Sequence, residues 1–206
     1  MSAKRQPRAG GMGLRRKIAR GGLRATRWTL EGEAPDAGIL IGAPHTSRWD
    51  WLVMLAIAWA NGVRPQVLIK HTYFKGPVGW ALNRTGGIAL DRENPGPTIR
   101  ALLEEADGDK PFLLVIAPKG TRGKAEYWKP GFYRISKQTG LPISLGFVDG
   151  PSRRLGFGPT IHPTDDVVAD MDLIREFYAD KRGIRPENRS EPRLREETEP
   201  PSWLGA

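Results

Sequence analysis

The sequence predicts an α/β fold: a single domain with a mostly parallel central sheet flanked by helices. Two observations carry that expectation. Short apolar runs recur at 38–43, 67–70, 87–90, 112–117 and 142–148, each of a length suited to a buried strand. Stretches of helical length separate them, at about 48–61, 76–84, 97–106 and 131–139. Alternation of this kind implies crossover connections, and crossovers make neighbouring strands parallel.

In chain order, the first element spans residues 13–28. Leu14, Ile18, Ala25 and Trp28 recur there at roughly helical spacing among Arg and Lys, which predicts a basic amphipathic helix weakened by Gly21 and Gly22. The strand over 38–43 reads Gly-Ile-Leu-Ile-Gly-Ala and leads through a short loop into the apolar helix over 48–61. Three further strand–helix pairs follow, and the strand over 142–148 closes the series. A last helix over about 165–181 carries Val167, Met171, Ile174 and Phe177/Tyr178 on one face. Residues 182–206, rich in Pro, Glu and Arg, read as an extended C-terminal tail. The expected organisation is therefore a basic N-terminal arm at 1–27, a domain at 28–181 and a tail at 182–206.

Charge is distributed unevenly. Residues 1–27 hold nine Lys/Arg and no acid; the chain's 32 basic and 23 acidic residues leave 23 of each in the remainder. The net +9 thus lies in the arm, which is suited to an anionic surface, either phospholipid or nucleic acid. The competing reading is a solvated arm that only aids solubility. With no cysteine, thiolate catalysis and Cys-ligated metal are excluded, and three histidines do not suggest a His-rich metal site. The longest apolar run, 51–60, is about half of what a bilayer demands. The expected location is the cytoplasm, peripheral on the inner face of the cell membrane.

The chemistry concentrates at strand ends, where α/β sheets place reactive groups. His45-Thr46-Ser47-Arg48-Trp49-Asp50 lies between the first buried strand and its helix. On one continuous helix His45 and Asp50 would stand about 140° apart, so they meet only if His45 sits in the loop and folds back over the helix start. The pair then becomes a general base with an orienting carboxylate. The alternative is that Ser47-x-x-Asp50 caps the helix and occupies the carboxylate with backbone. A second cluster, Ala117-Pro118-Lys119-Gly120-Thr121-Arg122, follows the strand over 112–117. Gly120 permits close backbone approach, Thr121 offers a hydroxyl and Arg122 a fork suited to phosphate; alone, it reads equally as a turn with a solvated Arg. A third, Gly86 to Arg92, puts Arg92 just beyond a strand, and Arg92 and Arg122 at neighbouring strand ends are placed to bracket one phosphate. No Gly-x-Ser-x-Gly elbow suggests a hydrolase nucleophile.

Taken together these blocks resemble the glycerolipid acyltransferases, the lysophosphatidic acid acyltransferase superfamily, and most of all its short bacterial members without transmembrane helices. Four blocks match in order: His45 to Asp50; Gly86, Ile88 and Arg92; Pro118 to Arg122; and Leu141-Pro142-Ile143. The resemblance covers about residues 28–180. It implies a glycerol-3-phosphate acyltransferase-like fold and direct transfer of a fatty acyl group to the hydroxyl of a lysophospholipid-type acceptor such as 1-acylglycerol-3-phosphate. The donor would be acyl-CoA or acyl carrier protein. His45 and Asp50 would be catalytic; Arg92, Lys119, Gly120, Thr121 and Arg122 would bind substrate. The helix over 51–59 and the segment over 74–80 are candidates to line the acyl groove. An anionic membrane surface is the expected partner, and no metal or prosthetic group is implied. The chain departs from the family pattern at Lys119, where Glu is usual, at Ala117 and at Pro44. Two other readings stand beside this one: a nucleic-acid-binding protein using the basic arm, against which the core is charge-neutral and no nucleic-acid-binding module is recognisable, and a lipid-binding homologue impaired by Lys119.

Overall fold

The computed structural model describes residues 12–63, 65–91, 93–94, 96–106 and 112–199. Its centre is a seven-stranded sheet made by β1 (Thr29–Glu31), β2 (Gly38–Ala43), β3 (Gln66–Lys70), β4 (Gly87–Leu90), β5 (Leu113–Ile116), β6 (Ile143–Asp149) and β7 (Arg154–Ile161), in the spatial order β1-β7-β6-β2-β5-β3-β4. Every pairing is parallel except β6 with β7. That exception follows from connection length. β6 and β7 are joined by a tight turn over 150–153, which returns the chain antiparallel, whereas the parallel strands are linked through helices.

The helices are α1 (Met12–Ala25), α2 (Asp50–Asn61), α3 (Gly76–Arg84), α4 (Gly96–Ala106), α5 (Gly131–Thr139) and α6 (Val167–Tyr178). Alternation along each strand sends successive side chains to opposite faces. Ile39, Ile41, Leu114, Ile143 and Leu145 pack with residues of α4, α5 and α6. Leu40, Val67, Leu113 and Val115 face Trp51, Met54 and Ile57 of α2 on the other side. The sheet is therefore buried on both faces, as its nearly continuous apolar strands require.

The apolar stripe of α1 differs from the expectation. Ala19 and Leu23 are the buried positions, packed in a cluster with residues of α2, while Leu14 and Ile18 are 68% and 60% exposed. At about 100° per residue the two stripes lie on different sides of the helix, and contact with α2 selects the smaller one. Arg20 Nε donates to the Ala60 carbonyl at 3.1 Å, at the carbonyl-rich end of α2. Residues 1–11 of the arm lie outside the described residues.

Residues 182–199 have little regular structure, yet they are packed onto the domain rather than projecting as a tail. Leu194 is buried, the Trp128 amide donates to the Arg193 carbonyl at 2.7 Å, and Glu197 pairs with Arg175 of α6. We call this segment the C-terminal strap. Composition predicted its extended backbone but gave no sign of its docking, which rests on Leu194 in the main core, Ile184 packed on the cluster around Val148 and Leu155, and a handful of long-range hydrogen bonds.

Candidate active site

β2 ends against the carboxyl end of β5 on one side and runs beside β6 on the other. The loops after β2 and β5 therefore emerge side by side, which brings the His45–Asp50 segment next to Ala117–Arg122. The strand order also corrects one expectation: β3 lies between β5 and β4, so the ends that carry Arg122 and Arg92 are not neighbours. Arg92 itself lies outside the described residues.

Helix α2 begins at Asp50, so His45 sits in the loop before it. His45 Nδ1 lies 2.8 Å from Asp50 Oδ2. The same oxygen accepts the Thr46 amide at 2.8 Å and the Ser47 amide at 2.9 Å. One carboxylate oxygen thus folds the loop and orients the imidazole together, so the capping and catalytic readings are not exclusive. The capping is only half a box: Ser47 Oγ accepts from the Trp49 amide instead of closing on Asp50. Asp50 Oδ1 is buried with no hydrogen-bond partner among the described residues. A carboxylate at Nδ1 assigns the imidazole proton to that nitrogen and leaves the Nε2 lone pair unblocked.

A cavity of about 620 Å³ opens beside this pair. Its walls include Leu40, Val67 and Val115 from the sheet and Trp51, Met54 and Ile57 from α2, with His45, Asp50 and Arg122 also lining it. Of the segments expected to line an apolar groove, part of α2 does so, but of 74–80 only Val78 does, flanked by Tyr73 and Leu82 from just outside that segment; Trp80 stands 67% exposed. Gly42 of β2 also lines the cavity, and a Cβ built there meets nothing within 4 Å, so the missing side chain leaves open space.

The loop after β5 is a tight turn in which the Gly120 amide donates to the Ala117 carbonyl at 3.0 Å. Gly120 has φ +69°, a conformation that disfavours any side chain, and it lines the cavity with Thr121 and Arg122. Arg122 donates to the Tyr73 hydroxyl at 3.1 Å, and no carboxylate among the described residues pairs with it.

Lys119 corrects the expectation that it meets the acceptor. It is buried, does not line the cavity, and its Nζ donates to the Asn188 carbonyl of the strap at 2.7 Å. Burial pushes its ammonium down from 10.5 to about 8, against the opposing pull of the Asp50 charge. The unfolded chain keeps the ordinary value, so between about pH 8 and 10.5 it holds a proton that the folded protein has released. The stability contributed at this position therefore rises with pH across that window. Thermal unfolding should show wild type gaining on Lys119→Met from pH 8 upward; a constant difference would show that the ammonium is not desolvated.

Sequence reasoning missed Thr46, Arg48, Tyr73, Arg185 and Asn188. Arg48 lay in plain view between His45 and Asp50, whereas nothing local marks Arg185 or Asn188, which reach the site through the strap. Among the described residues no cluster of three or more His, Asp or Glu is placed to hold a metal.

The sequence profile of the acyltransferase family matches residues 27–144, more than half of the chain. The chain belongs to the acyltransferase family. Its fold is similar to the crystal structure of the 1-acyl-sn-glycerophosphate (LPA) acyltransferase PlsC from Thermotoga maritima, with a TM-score of 0.55 and 17% identity over 82% of this chain and 75% of that one. At that identity the likeness is one of fold. No curated protein matches the chain in sequence. No described helix of the acyltransferase is long and apolar enough to cross a membrane.

Proposed function

We propose that this acyltransferase moves a fatty acyl group from acyl-CoA or acyl carrier protein to the hydroxyl of a lysophospholipid-type acceptor such as 1-acylglycerol-3-phosphate, at an anionic membrane surface. The observation that carries the reading is the His45–Asp50 pair at the edge of an apolar cavity, with the Arg122 guanidinium on the same wall. His45 Nε2 takes the proton of the acceptor hydroxyl as its oxygen attacks the thioester carbonyl. The carbon–sulfur bond breaks, and the imidazolium returns the proton to the thiolate. Asp50 stabilises the imidazolium between those steps, and the acyl chain occupies the cavity between α2 and the sheet. Transfer of labelled palmitate from palmitoyl-CoA or palmitoyl-acyl carrier protein to a panel of lysolipids tests this directly. No acyl transfer to any lysolipid from either donor would overturn it.

The cavity reading makes a separate prediction. Gly42→Leu fills open space without a backbone clash, so the protein should fold while losing room for a long chain. The ratio of rates with palmitoyl and octanoyl donors should fall about tenfold or more, because one methylene in an apolar pocket is already worth roughly 10- to 200-fold in discrimination. An unchanged ratio would place the acyl chain elsewhere.

The membrane reading rests on α1. Leu14 and Ile18 are exposed on a helix that also carries Arg15, Arg16, Lys17, Arg20 and Arg24. Apolar side chains flanked by cations match the chemistry of an anionic bilayer interface. Deletion of residues 1–27 would also strip Ala19 and Leu23 from their packing on α2, so substitution is the cleaner test. Leu14→Asp with Ile18→Asp should weaken binding to phosphatidylglycerol-containing vesicles by about tenfold or more, given roughly 1.5–3 kcal/mol for burying each side chain. Equal binding would remove α1 from the interface, and tighter binding to RNA than to vesicles would favour a nucleic-acid role for the arm.

A further inference from the structure

A second cavity, of about 370 Å³, adjoins the first, and the two share Ser47, Arg48 and Arg122 in their walls. Its chemistry is opposite to that of the apolar cavity. Arg48, Arg122 and Arg185 all line it, with the polar Thr46, Ser47 and Asn188 and with Trp49 and Gly123 at its wall, and among the described residues no carboxylate does. None of the three guanidiniums pairs with an acid among the described residues. Three like charges gathered without a counterion repel one another and are offset by an anion. Guanidinium forks match phosphate oxygens in geometry. A volume more than ten times a water's share of liquid, about 30 Å³, also leaves room for the glyceryl part of a head group.

Arg185 and Asn188 belong to the strap, and the strap is fixed to the catalytic loop at defined points. The Arg185 amide donates to Thr46 Oγ1 at 3.1 Å, and Asn188 Nδ2 to the Thr46 carbonyl at 3.2 Å. Gly183 has φ +76°, and a Cβ there would lie 2.6 Å from Thr46 Oγ1, so the strap approaches the loop as closely as a glycine allows. Lys119 Nζ holds the Asn188 carbonyl from below. A carbonyl needs a donor, and a Glu at 119 would offer none. The charge reversal relative to the family pattern therefore fits an attachment of the strap better than a contact with the acceptor.

We propose that the C-terminal strap completes the acceptor site: Arg185 joins Arg48 and Arg122 in a three-guanidinium cup for the phosphate of the acceptor, and Lys119 positions the strap that carries Arg185. This rests on the proposed acyl transfer and names the residues that would select its acceptor. A phosphate held in the cup lies across the shared wall from His45, which places the glyceryl hydroxyls toward the base.

The test uses the full chain with Arg48→Gln, Arg185→Gln and Arg185→Lys. Both positions are exposed, so the variants should fold, and thermal unfolding checks that they do. Binding of glycerol 3-phosphate is measured by calorimetry, together with KM values for palmitoyl-CoA, lysophosphatidic acid and monoacylglycerol. Each Gln variant should weaken glycerol 3-phosphate binding and raise the lysophosphatidic acid KM by on the order of tenfold, the effect of losing one charge-assisted contact. Arg185→Lys should retain part of the affinity, and KM for monoacylglycerol and for palmitoyl-CoA should not move. Unchanged glycerol 3-phosphate affinity in both Gln variants would overturn the cup. So would an effect on the palmitoyl-CoA KM alone, since the phosphates of CoA would then be its occupants. If wild type transfers no acyl group, the proposed function falls, and calorimetry still decides whether the cup binds phosphate. If wild type acylates monoacylglycerol as well as lysophosphatidic acid and binds no glycerol 3-phosphate, the cup alone is wrong.

Discussion

His45→Ala should lower kcat for acyl transfer by about 10²- to 10⁴-fold, the usual cost of losing a general base, while leaving melting temperature close to wild type. Stability should survive because the loop does not hang on the imidazole. The Thr46 and Ser47 amides bind Asp50 Oδ2 directly, and Thr46 is tied to the strap. Asp50→Asn separates the two duties of the carboxylate. The amide oxygen can still accept backbone N–H groups, so the loop keeps much of its form, but a neutral amide no longer stabilises an imidazolium. The rate should therefore fall strongly with a smaller loss of stability. Single-turnover kinetics with palmitoyl-CoA and lysophosphatidic acid, run beside thermal unfolding, reads both. Near-wild-type turnover by His45→Ala would sink the mechanism, and an Asp50→Asn protein that melts early but reacts normally would return Asp50 to a purely structural role.

Arg122→Ala carries the second large effect. Arg122 lines both cavities, so its guanidinium stands where the polar and apolar halves of the site meet. Its described partner is the half-exposed Tyr73 hydroxyl, a neutral group that leaves the positive charge uncompensated. Loss of a charge-assisted contact of roughly 1.5–3 kcal/mol predicts a drop in acceptor kcat/KM on the order of 10- to 150-fold. Donor KM should change little. Tyr73→Phe should cost far less, because it removes a neutral positioning contact and not the charge. An Arg122→Ala protein whose defect lies in donor KM would assign this guanidinium to the thioester carrier.

The positions of five strands and the helices between them were legible because burial on both sheet faces forces near-continuous apolar runs, and such runs are local in sequence. β1 and β7 were not, since three residues at an edge and a strand broken by Gly156, Gly158 and Pro159 carry weak patterns. The His45–Asp50 loop was legible for a geometric reason: six residues cannot bring those side chains together on a helix, so the pairing required a loop and the loop placed it at a strand end.

Chemical identity and local spacing were thus determined by the sequence: an α/β alternation, a base and its carboxylate, a guanidinium after a glycine turn, and a net charge confined to the first 27 residues. Tertiary structure decided which of these meet. The insertion of β5 between β2 and β3 puts Arg122 beside His45 and leaves the end of β4 farther away. Contact with α2 decided that α1 buries Ala19 and Leu23 and leaves Leu14 and Ile18 exposed. Docking of the strap turned Lys119 inward and brought Arg185 to Arg48 across more than 130 residues of chain. Strand order and strap docking depend on contacts between residues far apart in sequence, whose free energies are settled by packing of the whole domain and leave no periodic trace in the segments themselves.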